Sequence, residues 1–251
     1  MKIKRILLHK AMGDKTMQKA IALALLFKHY ADNRQCLRQS TCYKLAKMVN
    51  ASTNTIVKYL PIMERSGLIE RQGRCKDIIV VKNIVSRTKH RNMVLPKKLD
   101  FSSFKNLFYS FRALLFIVKQ SYKEYLRRML RLANKPTKFD SIKKIKRARN
   151  FCKRYAKNGI YDKFNDLGIS YKKIGETLGY CERTAERIVK DAISKKWCKK
   201  QTHFNYTYMP KVNYRYVEGY TFTTKDYGFV VSANTYKLSH SMVGLLIDGN
   251  F

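Results

Sequence analysis

Residues 40–72, STCYKLAKMVNASTNTIVKYLPIMERSGLIERQ, decide how this chain is to be read. Tyr43, Leu45, Ala46 and Val49 recur at helical spacing, and Asn50, Ala51 and Ser52 break the pattern. Ser52 then stands where a helix N-cap belongs, ahead of a second apolar series through Ile56, Leu60 and Met63. Ser66 and Gly67 stop that second helix. Residues 68–72 and 78–84 read as two short strands around a turn at Gly73–Asp77. Two helices held at a fixed angle through a three-residue turn, followed by a hairpin, leave the start of the second helix exposed. The expected fold class is α+β, mainly α.

The flanking sequence extends the pattern. Residues 16–31 contain the apolar run AIALALLF (20–27), far short of the roughly 20 residues a membrane span needs, and read as a buried helix. Residues 101–133 carry Phe104, Phe108, Phe111, Leu115 and Val118 as one apolar stripe, which predicts a long helix. Asn134, Lys135 and Pro136 interrupt it. Residues 141–158 predict a very basic helix with Ile142, Ile145, Ala148 and Phe151 or Cys152 on a thin apolar side. A second helix, glycine turn, helix pattern occupies 169–189, written I-S-Y-x-x-I-G-x-x-L-G-x-x-x-R-T-A-x-R-x-V. Beyond Trp197 the segments FNYTYM, NYRYV, YTFTT and YGFVV alternate as antiparallel strands do. The expected units are 1–95, a basic helical connector over 96–158, and 159–251 with an extended β wing or tail.

Charge points to a partner. Lys and Arg number 53 against 17 Asp and Glu, a net charge of +36 on 251 residues. A folded chain with that much self-repulsion implies a polyanion, and nucleic acid is the default. The basic excess lies in residues 1–198; residues 199–251 are nearly neutral and rich in tyrosine and phenylalanine. The tail reads as an enlarged wing or a sheet for a homodimer, with base stacking as the alternative. The six cysteines show no C-x-x-C pair, so neither a metal site nor a secreted disulfide framework is expected, and the expected location is cytoplasmic.

Residues 45–69 resemble the winged helix-turn-helix of bacterial regulators of the GntR and MarR types. That resemblance implies that Ser52, Thr53, Asn54, Thr55 and Lys58 face duplex DNA and that Arg71, Arg74 and Lys76 of the hairpin lie on phosphates. Residues 169–189 look like the helix-turn-helix of phage and plasmid DNA-binding proteins. They imply a second reading surface made by Tyr171, Lys172, Arg183, Thr184, Arg187 and Lys190. Two such units together resemble the architecture of phage and plasmid replication initiators. The basic helix, with Lys143, Lys144, Lys146 and Arg147, would clamp phosphates. Pro61 departs from the pattern, since it falls inside the reading helix and removes a backbone donor there.

Catalysis is not expected. The sequence has no G-K-[ST] nucleotide loop, no H-x-H pair, no H-x-x-R and no D-x-D pair. No cofactor is expected. The competing reading is a basic structural or RNA-associated protein without sequence preference, in which the helix-turn-helix is scaffold.

Overall fold

The computed structural model describes residues 1–88, 92–156, 169–208, 220–222, 227–239 and 242. Strand β1 (Lys2–Lys4) runs into helix α1 (Arg5–Ala11), and Asp14 then starts helix α2 (Lys15–Tyr30). The Asp14 carboxylate accepts the N–H groups of Thr16 and Met17, a capping arrangement that satisfies donors the first turn leaves open. Gln18 and every residue from Ala20 to Phe27 are buried, so α2 is buried on all sides through its middle turns.

The stretch that decides the fold forms strand β2 (Cys36–Leu37), helix α3 (Cys42–Met48), helix α4 (Thr53–Arg65), and strands β3 (Ile69–Gln72) and β4 (Ile78–Val81). These strands make one antiparallel sheet in the order β2-β4-β3. Strand β2 is only two residues long and has no signature in the sequence. Helix α4 continues through Pro61 to Arg65, although Pro61 has no N–H to give. Strand β5 (Asn92–Val94) pairs antiparallel with β1.

Helix α5 (Phe104–Asn134) is a central support, capped by Ser103, whose hydroxyl accepts the Asn106 N–H. Phe108, Phe111, Leu115 and Val118 of the expected stripe are buried. So are Leu107, Ala113, Leu114, Phe116 and Ile117, which widens the stripe to most of the helix circumference. The first half of α5 packs between α2 and the later helices, inside the core. Only its second half carries helix α6 (Ile142–Ala156) as a separate basic hairpin. Met129, Leu132 and Ala148 hold that hairpin together. Ile142, expected on its apolar side, is 83% exposed at the first turn of α6, whereas Ala148 and Cys152 are buried.

Helices α7 (Tyr171–Leu178) and α8 (Glu182–Ser194) follow, then strands β6 (Cys198–Tyr208), β7 (Tyr220–Phe222) and β8 (Tyr227–Leu238). Their antiparallel order is β6-β8-β7. The expected strand NYRYV lies outside the described residues. At the base of this sheet Trp197, Cys198, Tyr236 and Leu238 are buried, and Tyr236 meets Phe116 of α5 edge to face at 5.1 Å. One continuous set of buried side chains runs from Ile3 to Met242.

Candidate nucleic-acid interface

The two helix pairs are built alike, residue for residue, at a constant offset of 129 (41 to 170, 52 to 181, 67 to 196). Thr41 and Ser170 each accept, on the side-chain oxygen, the N–H three residues on, and so cap α3 and α7. After each first helix, Asn50 and Gly179 take positive φ, 47° and 79°. The next N–H, of Ala51 or Tyr180, returns to the carbonyl of Ala46 or Gly175 at 2.9 and 2.8 Å.

The second helices have 13 residues each. Ser52 Oγ lies 2.8 Å from Thr55 Oγ1, and Cys181 Sγ lies 3.3 Å from Thr184 Oγ1. Both helices end on a residue of positive φ, Gly67 at 65° and Lys196 at 58°. The N–H of the residue that follows, Leu68 or Trp197, donates to the carbonyl of Met63 or Ala192. An antiparallel strand pair follows in each case, β3 with β4 and β6 with β8. The position before each cap residue also corresponds: the Ser40 N–H donates to the carbonyl of Asp77, just ahead of β4, and the Ile169 N–H to that of Asn234 in β8.

Matched positions share burial as well as backbone. Leu45, Ala46, Val49, Ile56 and Leu60 are buried, as are Ile174, Gly175, Leu178, Ala185 and Val189. The matched outer positions are exposed: Thr53, Asn54 and Lys58 on α4, and Glu182, Arg183 and Arg187 on α8. Ser52 is exposed, while Thr55 and Thr184 are half-buried behind their capping contacts. Arg74 and Lys76 are exposed at the turn of the first hairpin, and Lys172 on α7. Lys143, Lys144, Lys146 and Arg147 are exposed on α6. That helix is seated on the second half of α5, so these cations belong to the hairpin and not to α4 or α8.

Two of the expected DNA-facing cations are already engaged. Arg71 places Nε and Nη2 on one carboxylate oxygen of Glu64, at 2.9 and 2.6 Å, and holds that carboxyl below its ordinary pKa. Arg71 therefore ties β3 to the end of α4. Lys190 pairs with Glu186 at 2.7 Å, one turn back along α8, and its ammonium is the more firmly protonated for it. Arg183 and Arg187 take part in no ion pair among the described residues. Tyr171 is half-buried, with the Lys200 ammonium above its ring and 3.2 Å from its hydroxyl.

Cys181 gives a chemical probe of this surface. Its thiol is exposed at the start of α8, and the Thr184 contact lowers its pKa, whereas burial pushes Cys198 up to about 11. Thiolate is the reactive form, so limited iodoacetamide near neutral pH is expected to label Cys181 well before Cys198. Peptide mapping that finds Cys198 labelled first would contradict this arrangement.

Among the described residues no group of three His, Cys, Asp or Glu side chains comes together as a metal site, and no helix is long and apolar enough to cross a membrane. No protein-family model, no curated protein and no solved structure matches the chain.

Proposed function

We propose that this chain is a non-enzymatic protein that binds duplex DNA sequence-specifically through two winged helix-turn-helix units. Its setting would be replication initiation or transcription regulation in a phage or plasmid. One observation carries the reading. The same backbone frame is built twice, and each copy exposes base-reading residue types at the same two places, Asn54 with Arg183 and Lys58 with Arg187.

The start of α4 and the start of α8 would enter the major groove, each flanked by its hairpin. Asparagine fits the adenine edge and arginine the guanine edge, each through two hydrogen bonds. Arg74 and Lys76 at the first hairpin turn, and the cations of α6, would lie on phosphates. The +36 charge supplies affinity that does not depend on sequence, so specificity must come from the two reading helices.

Selection of bound fragments from a random duplex pool at fixed salt tests this. A bipartite consensus is expected. Asn54→Ala and Arg183→Ala should each relax the preference in one half of it, at a cost of about 1–3 kcal/mol on the consensus duplex. A pool bound without enrichment, with equal affinity for RNA, would instead support a basic structural or RNA-associated protein.

A further inference from the structure

We infer that the cations between the two helix pairs form a continuous phosphate-binding seam, one that holds the DNA backbone between the two half-sites. The inference rests on the duplex-DNA reading above and adds a contact surface that neither reading helix supplies.

The seam can be followed from one unit to the other in steps shorter than 6 Å. The Lys58 ammonium lies 5.9 Å from the Tyr59 ring on α4, and Lys19 of α2 faces the same ring at 5.9 Å. Lys19 is also 5.7 Å from the Phe108 ring, which the Arg112 guanidinium approaches at 4.9 Å. Arg112 continues to Tyr180, in the turn between α7 and α8, at 5.2 Å, and Lys15 covers that ring at 5.2 Å. Lys15 is close enough to Cys181, the first residue before α8, to help lower its thiol pKa. One end of the seam is thus a proposed reading position on α4, and the other is the start of α8.

The charge balance calls for an outside anion. Lys15, Lys19, Lys58 and Arg112 occur in no ion pair among the described residues. Asp14, beside Lys15 in sequence, has its carboxylate turned to the α2 N–H groups. Aromatic faces hold cations in position but leave their charge uncompensated. Three pairs of like charges share a ring, Lys58 with Lys19 at Tyr59, Lys19 with Arg112 at Phe108 and Arg112 with Lys15 at Tyr180. Repulsion of that kind is relieved by a polyanion. Tyr109, 4.6 Å from Arg112 and 43% exposed, marks the open side of the seam. A row of cations set on successive rings suits a repeating phosphodiester and not a compact ligand.

The test needs no variant at first. Ethylation interference on the selected duplex should show wild-type protein sensitive to phosphates between the half-sites as well as within them. The Lys15→Gln/Lys19→Gln variant should lose the central interference, keep the selected base sequence, and bind all duplexes more weakly. Its slope of log K against log salt should fall by roughly 1.8, about 0.9 for each contact removed. Lys15→Gln alone, at an exposed position, should show half that change and serves if the double variant does not fold. Silent central phosphates, or an unchanged slope, would overturn the seam while a bipartite consensus left the duplex-DNA reading standing. A selection without consensus would overturn sequence reading instead, and the slope on an arbitrary duplex would still decide the seam.

Discussion

Phe116→Ala is expected to destabilise the fold by about 3–5 kcal/mol, the range for removing a buried aromatic ring from a core that cannot collapse around the gap. Phe116 is 1% exposed and lies in the half of α5 that serves both units. Its ring meets Tyr236 of β8 at an interplanar angle of 89°, so the change also removes an edge-to-face contact. For a chain of this size the midpoint should fall by roughly 6–20 °C in a circular dichroism melt. Trp197, the single tryptophan, is buried in the same core, so its fluorescence should report the same transition. Phe139→Ala is the matched control, since that ring is 88% exposed and its loss should leave the midpoint in place. A Phe116→Ala melt that superimposes on wild type would mean that α5 does not support the C-terminal sheet.

The local parts of this fold were legible because local chemistry specifies them. Ser52 caps α4 and Gly67 ends it, as residue type and spacing predict. The hairpin 69–81 and the long helix follow from periodicity in the same way. What could not be read depends on partners distant in sequence. Strand β2 exists because Cys36 and Leu37 pair with Val80 and Ile79, and two residues carry no period. The pairing of β1 with β5 joins residues about ninety positions apart.

The helix-turn-helix pattern is legible twice in the sequence, but the residue-for-residue match between the two units is not, for a related reason. Over 40–69 and 169–198 only Lys44 with Lys173 and Thr55 with Thr184 are identical. What the copies share is burial and backbone angle, which many residue types satisfy. Gly67 and Lys196 illustrate this, since both take positive φ although only one is a glycine. The seam cations were invisible for the first reason again. Lys15, Lys19 and Arg112 come from two helices far apart in the chain. The engagement of Arg71 was hidden because Glu64 precedes it by seven residues across a turn.

Gln18→Leu should cost about 2–5 kcal/mol and, by the same reasoning, also change what the protein selects from a DNA pool. Gln18 is fully buried, and its amide is used up in joining the two units. Nε2 donates to the carbonyls of Ala11 and Leu178, the last residues of α1 and α7, each at 2.9 Å. Oε1 accepts the Tyr180 hydroxyl at 2.7 Å. Helix ends leave carbonyls without partners inside the helix, and one side chain here serves two of them. Leucine has similar volume but leaves buried polar groups unpaired, which costs more than the bonds contributed. The backbone is equally committed beside it, because a Cβ on Gly179 would stand 2.6 Å from the Gly13 carbonyl oxygen at a φ of 79°. Gly179→Ala should therefore loosen the same joint by a different route. If the joint fixes the distance between the two reading helices, wild-type protein should select half-sites at one spacing. Both variants, assayed well below their lowered midpoints, should accept several spacings while keeping each half-site sequence. Variants that melt early but still select the single wild-type spacing would show that something other than this joint sets the separation.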